Sequence, residues 1–180
     1  MKTKIIIANL FLSIMFLTSC KDKVVEIEEP EIITFDVTID VIVPKDDMLI
    51  VFYLDASDDW FSEKKTVWLG VKGSDQPQKC VFSLPEGVLP KDIRIDISSK
   101  KEQKQVTLNS VSLSYNGNNL MIQKQDIDKY FTGNEYIKFD AKTNVATLNK
   151  VGENFDPYFN TKPILYPEFQ KLLIPKQQSK

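Results

Sequence analysis

The sequence predicts an all-β fold, a two-sheet antiparallel β-sandwich of jelly-roll or immunoglobulin-like type with an irregular C-terminal segment. Three observations predict it. Apolar and polar residues alternate with a period of two from Ile33 to Val43, short apolar runs recur between clusters of turn formers, and almost no stretch carries the 3.6-residue period of a long amphipathic helix.

In the first strand Ile33, Phe35, Val37, Ile39, Val41 and Val43 alternate with Thr34, Asp36, Thr38 and Asp40, which describes one buried and one wet face. Pro44-Lys45-Asp46-Asp47 supplies a turn, and the near-continuous apolar run Met48 to Leu54 reads as a central strand. Further strands are expected over Thr66 to Lys72, Lys79 to Leu84, Asp92 to Ser98, Gln105 to Tyr115, Asn119 to Gln123, Glu135 to Asp140 and Val145 to Leu148. Within Gln105 to Tyr115 the apolar phase slips near Asn109-Ser110, so this strand needs a β-bulge or a crossing between sheets. Asn116-Gly117 then reads as a hairpin turn with glycine where a positive φ is needed. Gln125 to Phe131 carries a short helical turn, with Ile127, Tyr130 and Phe131 on one side. Past Val151 the chain holds many aromatics and prolines. It is expected not to sustain a ladder but to dock on the sandwich through Phe155, Tyr158 and Phe159, with a last helical turn over Glu168 to Leu173 and a frayed end.

The first nineteen residues stand apart from this pattern. Lys2 and Lys4 precede the apolar run Ile5 to Leu17, which is too short for a comfortable membrane span and is followed by Thr18-Ser19-Cys20. This is the order read by the secretion machinery. The ending resembles the lipobox of bacterial lipoproteins, which implies acylation of Cys20, cleavage before it, and a membrane anchor of several acyl chains. The other reading is an ordinary secretory signal with an incidental cysteine. Residues 20–31 then form a charged tether ending at Pro30, residues 32–151 the sandwich, and residues 152–180 the C-terminal segment. Charged residues after the lipidated cysteine resemble export signals of some Bacteroidetes lipoproteins, although Lys23 interrupts the acidic cluster. The resemblance implies an outer-membrane anchor, with the surface-exposed side favoured and the periplasm-facing side left open.

Composition narrows the chemistry. Without residues 1–19 the chain keeps 21 basic and 25 acidic residues, a formal balance of −4, which argues against a nucleic-acid partner. Only Cys80 remains besides Cys20, so no internal disulfide is expected, and its alternation with bulky residues reads as a buried, inert thiol. The chain has no histidine, which removes the usual general base and the commonest metal ligand, and it has no glycine-rich phosphate loop. No catalytic residue is assigned, and the protein is expected not to be an enzyme.

The loop Leu54 to Glu63 mixes oxygen ligands with an aromatic pair. No cofactor is assigned, but calcium (Ca2+) is one reading of this loop: Asp55, Ser57 and Asp59 have the alternating spacing that opens an EF-hand, whereas Trp60 stands where the turn glycine belongs, and Thr66 where the closing glutamate belongs. The competing reading is an acidic turn whose Trp60 or Phe61 folds back to plug the sandwich. Arg94 and Asp96 share a face opposite Ile93, Ile95 and Ile97, as a ligand clamp or as a solvated cross-strand ion contact. Trp60, Trp68 and Tyr115 offer flat faces and Asn116, Asn118 and Asn119 planar polar groups, the types that sugar rings require. Trp68 serves equally as a structural residue.

Trp60-Phe61-Ser62-Glu63, Val81-Phe82-Ser83-Leu84-Pro85 and Asp92-Ile93-Arg94-Ile95-Asp96 occur in an order that resembles a bacterial β-sandwich module often found beside glycan-handling domains. That resemblance to carbohydrate-binding-like modules implies a glycan-binding role. The alternative is a structural or accessory protein that contacts another envelope protein through a strand edge or its aromatic tail.

Overall fold

The computed structural model describes residues 32–174; the leader, Cys20, the tether and the last six residues lie outside the described residues. Alternation builds two antiparallel sheets packed face to face. The first sheet orders β4 (Gln78–Ser83), β1 (Asp36–Ile42), β6 (Gln105–Tyr115), β10 (Val145–Leu148) and β9 (Ile137–Asp140), with β7 (Asn118–Gln123) paired to the second half of β6. The second orders β3 (Thr66–Val71), β2 (Asp47–Leu54), β5 (Asp92–Asp96), β11 (Tyr158–Thr161) and β8 (Phe131–Gly133). Two short helices, α1 (Ile127–Tyr130) and α2 (Tyr166–Leu172), each preceded by a 3-10 turn, complete the described elements. The core fills the space between the sheets with inward residues such as Val37, Ile39, Val51, Phe82, Ile95 and Leu113. Cys80 is free and buried there, and burial together with the charge of Asp40 raises its thiol pKa, which suits an inert side chain.

The phase slip in β6 resolves as a β-bulge. Asp40 pairs with Ser110 and Val41 with Leu108, so Val106 and Leu108 before the bulge and Val111 and Leu113 after it all face one core. The hairpin between β6 and β7 turns at Asn116 and Gly117, with φ of 45° and 74°; this mirror-image turn matches the strand twist.

Two expectations need correction. The segment after residue 151 sustains a ladder: β11 sits between β5 and β8, so the sandwich does not end at residue 151. Pro157 and Pro163 flank the four paired residues rather than interrupt them. Phe159 points inward, edge-on to Phe139 at 5.4 Å, and Tyr158 points outward. The strand β8 directly after α1 was also not anticipated.

One end of the sandwich gathers the start of β1, the ends of β2, β6 and β11, and the start of β5. The helix α2 closes it. Phe169, fully buried, stacks on Phe35 at 5.9 Å, and Phe35 stacks in turn on Tyr115 at 6.3 Å. The opposite end is stitched by polar bonds. Buried Asp47 accepts from Met48 N, Ser99 N and the Ser98 and Ser99 hydroxyls, and buried Gln103 donates to Lys45 O.

Candidate functional site: a pocket under the closing helix

At the helix-closed end Leu54 and Asp92 are paired neighbours, the last residue of β2 and the first of β5. Beyond β11 the chain makes a 3-10 turn over Pro163–Leu165 and enters α2, whose first turn holds Pro167. Proline fits there because first-turn N–H groups need no helical partner. Leu165, Phe169 and Leu172 fasten this segment to the core. Its other side, with Pro163, Tyr166, Pro167 and Gln170, faces Leu54, Lys91 and Asp92 across an open pocket of 640 Å³.

Three donors converge on the Asp92 carboxyl group: its neighbour Ile93 N at 2.8 Å, the Thr161 hydroxyl, and the Tyr166 phenol at 3.3 Å. Burial pushes the Asp92 pKa up, against the pull of these bonds and of Lys91. The Tyr166 phenol is also raised, by burial and by Asp92 beside it. Lys91 Nζ donates to Asp58 O, which ties the β2–β3 loop to the rim. The pocket therefore combines an apolar wall, an aromatic ring that is 41% exposed, and carboxyl, phenol and amide groups at the edge.

The outer face of the second sheet continues from this pocket, since Ile93 and Ile95 point into the core and Asp92, Arg94 and Asp96 point away from it. Arg94 donates from Nε and Nη2 to the two Asp96 carboxylate oxygens, both at 2.7 Å, and from Nη2 to Asp156 at 3.3 Å. Its guanidinium carbon lies 4.4 Å from the Phe52 ring centre and 3.8 Å from that of Tyr158. Burial works against the charged guanidinium, but the neighbouring carboxylates outweigh it and its pKa rises; burial raises that of Asp96. The pair is thus neither cross-strand nor solvated, as one reading of the sequence held. It joins residues i and i+2 of one strand under an aromatic cover. Trp68, outward on the edge strand β3 and opposite Ile50, is 55% exposed and donates from Nε1 to Thr66 Oγ1.

Comparison of the chain with protein-family models, curated proteins and solved structures gives no match in any of the three. The site rests on its own geometry.

The sequence candidates divide three ways. Arg94 and Asp96 come together on the outer face of the second sheet, and Trp68 shares that face on the edge strand, with Ile50 between it and Asp96. Tyr115, Asn116 and Asn118 are used by the fold instead: Tyr115 packs on Phe35, Asn116 makes the turn, and Asn118 Nδ2 donates to Leu172 O and Ile174 O, closing the end of α2. In the β2–β3 loop, Lys65 Nζ supplies the positive charge that the calcium reading would give to an ion. It lies 2.6 Å from Asp55 and 2.7 Å from Asp58, while Ser57 donates to Asp55. These bonds hold the Asp55 carboxyl well below the usual carboxylate range. Asp59 stands exposed beside them, and among the described residues no group of three or more acids or thiols is placed to hold a metal ion. Trp60 does not fold back as a plug; it is 85% exposed.

Reading the sequence missed Lys91, Asp92, Tyr166 and Gln170. The strand pattern that marked Arg94 and Asp96 also contains Asp92, but their meeting with residues 163–170 depends on contacts far apart in the chain.

Proposed function

We propose that the protein is a non-catalytic binding module of the cell envelope, held at the outer membrane through Cys20, and that the pocket under α2 takes a glycan. The pocket's mixture of surfaces supports this reading. A pyranose presents C–H faces that pack on Tyr166, Leu54 and the two prolines, and hydroxyls that pair with Asp92, Gln170 and Lys91. Asp92 arrives already oriented by three donors, so little ordering is needed on binding. Trp68 and the Arg94 platform extend the same face for a longer chain of sugars. The competing reading is contact with another envelope protein through a strand edge or the aromatic tail; the tail offers it little support, because Tyr158 is covered by Arg94 and Phe159 faces the core.

The test is a glycan array probed with the full acylated chain in detergent, followed by titration of the best-bound sugar. Tyr166→Ala and Asp92→Asn each weaken binding at least about tenfold, the value of one lost charge-assisted hydrogen bond or stacking contact. An array without a saturable ligand, or unchanged affinity in both variants, contradicts the proposal.

A further inference from the structure

The helix-closed end has a second property that the pocket does not require. Of the eleven large apolar residues that stand exposed among the described residues, seven are at this end, including Ile32, Trp60, Leu89, Ile164, Tyr166 and Ile174. Trp60 is the most exposed of them at 85%, carried by a loop that is otherwise well fixed: Lys65 clamps Asp55 and Asp58, and Lys91 holds Asp58 O. A rigid loop that presents an indole to solvent has no packing reason to do so.

The chain enters the sandwich at the same end. Ile32 and Ile33 lead into β1, whose first residue pairs with Ser83 and Ser114 beside the α2 cap. Ile32 is twelve residues from Cys20. Twelve residues span at most about 40 Å when fully extended, so acylation of Cys20 holds this end within that distance of the bilayer. The anchor makes contact of even weak apolar surface with lipid an intramolecular event.

We propose that the helix-closed end of the sandwich rests on the lipid surface, with the Trp60 indole in the headgroup region and Leu89 and Ile164 beside it. Tryptophan favours that depth because its ring is apolar and its N–H is a donor. No helix among the described residues is long and apolar enough to cross a membrane, and this contact needs none. It rests on the anchored reading of Cys20 and deepens the proposed function: the pocket then opens at headgroup level, toward glycans borne by the membrane itself.

The chain has two tryptophans, so Trp68→Phe leaves Trp60 as the only indole. The acylated full chain carrying this substitution is reconstituted in phosphatidylcholine vesicles with brominated acyl chains, and its emission is compared with that of the Trp60→Phe chain. Expected are a blue shift and at least about twofold quenching of Trp60, with Trp68 little affected. Emission typical of hydrated indole, or equal quenching of the two, overturns the lipid contact. Mass spectrometry reads the acylation of Cys20 separately. If Cys20 carries no acyl chain the anchor reading fails by itself, and the same vesicles mixed with that unanchored chain decide: selective quenching of Trp60 upholds the contact, and none overturns it. The glycan titration is independent of both readouts.

Discussion

The two ends of this sandwich solve one problem in opposite ways. Each must close a gap between two sheets. The polar end does so with backbone and side-chain hydrogen bonds centred on Asp47 and Gln103, surrounded by exposed Lys45, Lys100 and Lys101. The other end does so with a short helix driven into the core by Phe169 and Leu172. A hydrogen-bonded closure consumes its polar groups and leaves a solvated surface. The helical closure hides one side of α2 and leaves the other free, and that free side is what forms a pocket. Closing the core and leaving surface open are therefore separable here: one end only seals, while the other seals and leaves a pocket beside the helix.

Substitutions that break each closure should differ in size. Phe169→Ala removes a fully buried ring from the stack with Phe35 and is expected to cost about 3–5 kcal/mol in denaturant unfolding, with loss of the pocket. Asp47→Ala leaves the Met48 and Ser99 backbone N–H groups without their carboxylate acceptor and should cost about 2–3 kcal/mol, with ligand binding unchanged; the Ser98 hydroxyl keeps Lys100 O as an acceptor. Asn118→Ala loses both bonds to the end of α2; about 1 kcal/mol is expected, with faster amide exchange confined to that helix.

The smallest effect concerns Asp92. Its folded pKa is raised, chiefly by burial, so the folded state binds the proton more tightly than the unfolded chain does. Stability from this group therefore falls as pH rises from the ordinary carboxylate value of about 4 through the raised folded value. Asp92→Asn removes that slope. Relative to the wild type, the variant should gain stability at neutral pH and lose the gain in acid, as read from thermal unfolding at several pH values.

Much of the fold was legible because a half-buried strand writes its pattern into consecutive residues. β1 alternates, β2 is an apolar run, and the slip at Asn109-Ser110 announced the bulge. β11 was not legible because its four residues sit between prolines that appeared to forbid pairing, and only the neighbouring strands show that the prolines lie outside the ladder. The site divides similarly. Alternation placed Arg94 and Asp96 on one face. Nothing local could show that Asp92 meets Tyr166, that Asn118 reaches the end of α2, or that Lys65 fills the acidic loop, since each joins residues distant in sequence or on loops without periodicity.

The proposed function makes the helix-closed end the binding end. Hydrogen exchange of the full chain, with and without the sugar selected on the array, tests it most directly. Ligand-dependent protection is expected at residues 91–92 and 163–170, with residues 44–47 and 98–104 unchanged. Protection confined to the polar end, or to the strands of the first sheet, would contradict it.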